Sequence, residues 1–440
     1  MGIAHTTADA QTHYGADAEH RMGRKELLVF LSATMAFIAV GLDLMLPAFD
    51  EIRADFGLDE LSTETSRVIT VYMLGLAFGQ LFFGPLADRY GRKKTLYIGA
   101  TIFVFGAAAS ALVGTFELLL VMRFIWGLGA AGARIVATSI IRDRFEGASM
   151  ASAMSSVMAV FVMVPVFAPS LGAGLIAVLP WRSVFWFCAI FAIVVVLWST
   201  RLSETLDPAN RRELRPAVIA GGYWQIARTK ITFGYTVATL FVQASFTTYL
   251  ASSELVVSNI FDREAQFPVV FGAVAILFGI ASLINASVVE RLGIDRVVNR
   301  ALAVAGSAIA LLILLVLVST GTPNFWIFMP LLGLLLSTFM FLMANLSSAA
   351  MIPLGKIAGS GTALTGAFRT AGGAVLGGAI SEQINTSVTP LVIGMAVMVS
   401  CCAATVWLTR QGGIGGLLRS NERPIDSLGE EHLAAGAGQD

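Results

Sequence analysis

The sequence predicts an all-α integral membrane protein with twelve transmembrane helices in two six-helix, pseudo-symmetric halves. Three observations predict it. Of the 440 residues, 56% are hydrophobic and 13% charged, with mean hydropathy +0.77; soluble proteins average about 45–50% apolar and about 25% charged. Twelve segments are long and apolar enough to span a bilayer, and a short motif recurs at the same place in each half.

A span needs about 20 mostly apolar residues, because the hydrocarbon is about 30 Å thick and a helix rises about 1.5 Å per residue. The segments are 26–48, 67–87, 94–113, 118–139, 151–178, 183–200, 232–253, 267–289, 298–319, 324–348, 358–381 and 388–409. Their unbroken apolar runs select helices, since barrel strands alternate. A polar stretch from Leu202 to Lys230 carries Pro208, Pro216 and the basic cluster Arg211, Arg212 and Arg215. It divides the spans six and six. The expected organisation is a tail at 1–25, a six-helix bundle at 26–201, a linker at 202–231, a second bundle at 232–409 and a tail at 410–440.

After span two comes Gly84-Pro-Leu-Ala-Asp88-Arg89-Tyr-Gly91-Arg92, and after span eight Glu290-Arg291-Leu-Gly293. Acid-Arg-x-Gly thus recurs, as in membrane folds built from duplicated six-helix halves. The basic residues give the orientation. With the N-terminus inside, the cytoplasmic segments hold most of them, and the opposite side holds only Arg53, Arg67, Arg182 and Arg263. Both termini are expected in the cytoplasm.

Composition excludes several classes. Cys188, Cys401 and Cys402 lie in apolar runs and make neither a disulfide framework nor a thiolate metal site. His5, His13, His20 and His432 lie in the polar tails, which excludes an intramembrane imidazole relay or metal site. The first 25 residues have no apolar core for a cleavable signal. No Gly-x-x-x-x-Gly-Lys-Ser/Thr loop cradles ATP, and no lysine lies inside a span to carry a retinal Schiff base. Neither an enzyme, a cofactor, a metal nor a nucleic-acid partner is expected.

Charges inside spans are costly and usually face a partner or a cavity. Asp43 and Arg123 lie about 9–10 Å below the outer ends of spans one and four at about 1.5 Å per residue. Equal depth permits contact. Asp43 is then either a proton-binding carboxylate balanced between burial and the charge of Arg123, or half of a fixed ion pair. Arg134, eleven residues on, projects from the same face as Arg123. It either snorkels to water or lines the inner half of a pathway. Glu254 ends span seven on the outer side, solvated or facing a cavity, and Arg369 lies at the centre of span eleven. Pro165 and Pro169 loosen span five, and small residues such as Gly172 and Gly174 permit close helix packing.

These residues resemble the major facilitator superfamily, and within it the Bcr/CflA-type drug:proton antiporters. The Gly84 to Lys94 stretch is similar to the loop motif of the superfamily, and Arg123-Phe-Ile-Trp-Gly127-Leu-Gly129-Ala to its span-four motif associated with proton coupling. Pro165 through Gly174 resembles the antiporter motif, with Ala173 between its glycines. Asp43-Leu-Met-Leu-Pro47-Ala, Trp181-Arg182-Ser-Val-Phe185-Trp186 and Ser203-Glu204-Thr205-Leu206 resemble the Bcr-like group.

The resemblance implies an inner-membrane transporter that exports small hydrophobic compounds in exchange for protons, monomeric in the bilayer. Asp43 would bind the proton and Arg123 modulate it, with Arg134, Glu254 and Arg369 as substrate-cavity candidates. In the gating motif of Gly84, Asp88, Arg89, Gly91 and Arg92, Gly84 would let spans two and eleven approach closely. Asp88 would bond Arg92 and a neighbouring helix end, locking the cytoplasmic side. The alternative is a carrier of one endogenous polar or anionic metabolite, favoured if Arg134 and Arg369 both face the cavity.

Overall fold

A chain crossing hydrocarbon must satisfy its backbone N–H and C=O groups within each segment, which leaves the helix as the solution for long apolar runs. The computed structural model describes residues 22–59, 61–207, 211, 223, 224, 226 and 228–411. Among these, twelve helices of sixteen or more residues follow one another. They are α1 (Arg24–Asp43), α2 (Ser66–Tyr90), α3 (Arg92–Ser110), α4 (Phe116–Arg144), α5 (Gly147–Ile176), α6 (Ser183–Trp198), α7 (Lys230–Glu254), α8 (Phe267–Leu292), α9 (Ile294–Val318), α10 (Phe325–Met351), α11 (Ala358–Ser381) and α12 (Thr389–Gln411). The four histidines, Arg212, Arg215 and nearly all of both tails lie outside the described residues.

Nine of the described helices are long and apolar enough to cross a membrane. The other three have specific reasons to fall short. Helix α3 opens on Arg92-Lys93-Lys94, while α7 and α11 are rich in Thr, Ser and Gly. Helix α7 stays buried despite that polarity because its hydroxyls bond back to its own carbonyls. Thr236 donates to the Thr232 carbonyl at 2.6 Å, Thr248 to Ala244 at 2.9 Å and Ser252 to Thr248 at 2.7 Å.

Contacts obey a rule of six. Helix α2 packs on α4, α3 on α4 and on α6, and α1 on α4 and α5; α8 and α9 repeat this on α10, α9 on α12, and α7 on α10 and α11. The halves meet through α5 on α8 and, in the related position, α11 on α2. The duplicated motif lands on equivalent corners. Gly91 (φ +95°) joins α2 to α3 and Gly293 (φ +76°) joins α8 to α9. Both sit in a left-handed conformation that favours glycine.

Close approach within the first half runs through other glycines. A Cβ on Gly127 of α4 would meet the Tyr72 backbone carbonyl of α2, and one on Gly129 the Phe103 amide of α3. A Cβ on Gly84 meets nothing within 4 Å. The expected close approach of spans two and eleven at Gly84 is therefore absent in this conformation. Backbone cannot give way as a side chain does, so Gly127→Ala is expected to cost about 1–3 kcal/mol through overpacking. Gly84→Ala should leave stability unchanged. Thermal unfolding of the purified variants in detergent checks the pair, and equal midpoints would refute the contrast.

Candidate functional site

Helix α1 ends at Asp43, and Pro47 sits in a 3₁₀ turn (Leu46–Ala48) that leads into a short helix, Phe49–Asp55. Asp43 is 4% exposed, and its carboxylate makes no hydrogen bond or ion pair with any described residue. It lies within electrostatic range of Tyr72 on α2 and Tyr249 on α7. A buried carboxylate thus lies within electrostatic range of one tyrosine from each half, with no fixed partner among the described residues.

Arg123 does not pair with it. Its Nη1 donates to the Gly41 carbonyl at 2.8 Å and its Nε to the Val68 carbonyl at 3.3 Å. Its guanidinium lies 4.4 Å from the Tyr72 ring centroid and 4.6 Å from that of Trp126. The reason is angular. Residues 41 and 43 point about 200° apart around a helix that turns about 100° per residue. An arginine arriving from α4 therefore reaches Gly41 and not Asp43. The equal depth inferred from sequence is compatible with the structure; the contact between the two side chains is not formed. Arg123 instead ties α4 to the last turn of α1 and to α2, and its Nη2 has no partner.

Of the two readings of Glu254, the structure favours the second: it is 2% exposed, so not solvated, and it lines a cavity together with Pro47, Asp50, Ser258 and Phe267. It is not free. Both its oxygens accept from Nη2 of Arg53 at 2.9 Å. Arg53, read from sequence as an outer-loop charge, is itself 2% exposed. It also donates to Asp50 at 2.8 Å and to Thr65 at 3.1 Å. The buried faces of Phe49 and Ile52 turn the short helix inward and carry Arg53 with it. A π-helical turn, Leu255–Ile260, follows Glu254 and shifts the register of its chain. The local signal in sequence is Arg53 set among Phe49, Ile52 and Phe56; its partner is 201 residues away.

At this same end Arg67 meets Glu382 at 2.7 Å and Thr63 donates to the Glu382 carbonyl at 2.9 Å. Arg53, Thr63 and Arg67 thus bridge the two halves at the end holding the Asp50 to Glu64 loop, Arg53 donating also to Asn259 at 3.4 Å.

The loop motif at the other end is engaged inside the first half. Arg92 bonds Asp88 at 3.1 Å, the Ala87 carbonyl at 2.7 Å and Asp143 at 2.8 Å. Glu204 accepts the backbone N–H of Arg92 at 2.8 Å and of Lys93 at 3.1 Å, an anion at the N-terminus of α3. Arg89 is exposed. In α5, which runs unbroken through Pro165 and Pro169, Gly172 packs on the Leu44 backbone and Val166 on Gly272 of α8. A Cβ on Gly174 would meet nothing.

Arg134 and Arg369 are both half-buried and close enough to repel each other. Arg369 donates to Ser347 at 3.1 Å, and its Nε is buried without a partner. No described residue accepts a hydrogen bond from the Arg134 guanidinium. Arg134 and Arg369 thus lie within electrostatic range of each other, while Arg123 is engaged with Gly41 and Glu254 with Arg53.

A family model described as Major Facilitator Superfamily matches residues 28–378. A bicyclomycin resistance protein homolog of Haemophilus influenzae is 25% identical over 367 residues, covering 82% of this chain and 91% of that protein. The multidrug resistance protein MdtL of Shigella dysenteriae serotype 1 is 33% identical over 183 residues, covering 41% of this chain and 46% of that protein. The crystal structure of the human organic anion transporter MFSD10 superposes with a TM-score of 0.63 at 16% identity, covering 87% of this chain and 98% of that one, a likeness of fold alone.

Proposed function

From the premise that the chain belongs to the Major Facilitator Superfamily, we propose that it is a proton-coupled antiporter. In this reading it exports small, largely hydrophobic compounds across the cytoplasmic membrane by alternating access, with both termini inside. The transporter class follows from the family, and the resistance proteins among its relatives support export.

The observation that carries proton coupling is Asp43, a buried carboxylate at the end of α1 with no fixed partner. A group that exchanges protons during a cycle must be free of a permanent counter-ion, and Asp43 meets that condition. Arg123 acts as a positioning residue, holding the α1 backbone at Gly41 while Asp43 alternates between charged and neutral forms. The bridges Arg53–Glu254 and Arg67–Glu382 support an outward-closed state. Gly84 facing open space fits an opposite end that has not closed. The motif of Asp88, Arg92, Asp143 and Glu204 would brace the first half as a rigid unit. In this reading residues 26–201 and 232–409 rock against each other along α5–α8 and α2–α11.

The test uses everted vesicles, acidic inside, from cells with and without the protein. Compounds to which the deletion strain becomes susceptible are added, and proton release is followed with acridine orange. Release that requires the protein is the expected result. Protein-dependent uptake of those compounds without proton movement would overturn the antiport reading.

A further inference from the structure

Three helices, α2 and α4 of the first half and α11 of the second, deliver hydrogen-bond donors to one level. Arg134 stands ten residues from the Arg144 end of α4, Gln80 ten from the Tyr90 end of α2, and Arg369 eleven from the Ala358 start of α11. At about 1.5 Å per residue all three lie about 15–17 Å from those helix ends. Gln80 of α2 is adjacent to α11, since a Cβ on Gly366, one turn before Arg369, would lie 2.8 Å from its Oε1. Arg369 reaches Ser347 on α10.

The donors are unsatisfied. Gln80 is 6% exposed and its Nε2 has no partner, and the same holds for Nε of Arg369. Neither arginine has a carboxylate partner among the described residues. Buried polar groups are normally hydrogen-bonded, so a cluster of orphaned donors of one kind needs an acceptor from elsewhere. Two guanidiniums within electrostatic range of each other and without an acidic partner among the described residues suit an anion with several oxygens, because the fork geometry of arginine matches carboxylate and phosphate.

We propose that Gln80, Arg134 and Arg369, with Ser347, form a binding site between the halves for an oxyanion group, carboxylate or phosphate, carried by an otherwise apolar cargo. The site rests on the transporter reading and sharpens its substrate class. Arg134 belongs to the first half and Arg369 to the second, so an anion between them joins the halves at this level. An apolar body attached to it would occupy the space towards Asp43. Loading would offset the repulsion between the two arginines, making the closed arrangement of this end more favourable with cargo than without.

The experiment measures equilibrium binding of tritiated 2-naphthoate and of neutral 2-naphthamide to the purified full-length protein in phosphatidylcholine nanodiscs. The carboxylate should bind at least tenfold more tightly than the amide. Arg134→Gln and Arg369→Gln should each erase that preference, bringing naphthoate affinity down to that of the amide, with the thermal midpoint close to wild type. Arg369→Lys, which keeps the charge and loses the fork, should retain part of it. Equal affinities in the wild type, or a preference that survives both glutamine variants, would overturn the site. Loss of naphthoate binding in phosphatidylglycerol discs would assign the site to a lipid headgroup and overturn the cargo proposal. Binding is read without a proton gradient. A failed preference therefore leaves the vesicle test of antiport standing, and failed proton release leaves this test standing.

Discussion

Asp43→Asn is expected to abolish the proposed proton-driven efflux in vesicles, lowering it to the level of membranes without the protein, and to leave the protein folded. Asparagine matches aspartate in shape. Because the Asp43 carboxylate has no hydrogen bond or ion pair among the described residues, the exchange breaks no contact. Burying an unpaired charge is costly, so a neutral replacement does not lower the thermal midpoint. What asparagine removes is the ability to take up and release a proton at the end of α1. Transport that keeps its pH dependence in this variant would sink the coupling role of Asp43. The structure sharpens the comparison, since Arg123 bonds Gly41 and not Asp43. Loss in Asp43→Asn therefore cannot arise from stranding Arg123.

The second large effect lies at Arg53 and Glu254. Removing one member of a buried ion pair leaves an uncompensated charge and costs about 3–5 kcal/mol, whereas replacing both with apolar residues of similar size is often neutral. Arg53→Met, which strands Glu254, should lower the stability of the purified protein by about that amount, and Glu254→Gln by less, because Asp50 still pairs with Arg53. The double variant Arg53→Met with Glu254→Leu should recover most of the loss. Thermal or denaturant unfolding in detergent decides it. Losses that simply add in the double variant would show that the two side chains act independently. Because the pair spans the halves, the double variant should also spend more time open at the end it now bridges, seen as faster labelling of a cysteine placed at Ser258 by an impermeant thiol reagent.

The architecture was legible because the apolarity of a span is a local property that about twenty consecutive residues reveal. The repeated Acid-Arg-x-Gly reported a real structural equivalence, now visible as the left-handed glycines Gly91 and Gly293. The site was only partly legible. Depth along a helix can be counted from residue numbers, which put Asp43 and Arg123 at one level. The angle from which a neighbouring helix arrives depends on packing, and that angle gave Arg123 to Gly41. The Arg53–Glu254 pair joins residues 201 apart through an inward turn of a seven-residue helix, a detail no hydropathy pattern carries. Gly84 is a residue whose role depends on conformation, and one state shows it facing space.

Arg123 has a consequence beyond holding α1. It is a full positive charge without an acidic partner among the described residues, wedged against Tyr72 and Trp126. A fixed cation raises the electrostatic barrier to any passing cation, as arginines do in pores that conduct water while excluding protons. In the proposed reading, that barrier would oppose hydronium moving past Arg123 to the carboxylate at the end of α1. Under the proposed antiport, such a barrier would insulate the membrane's proton gradient from short circuit through a resting carrier, so that protons would cross only when a change of shape delivers them.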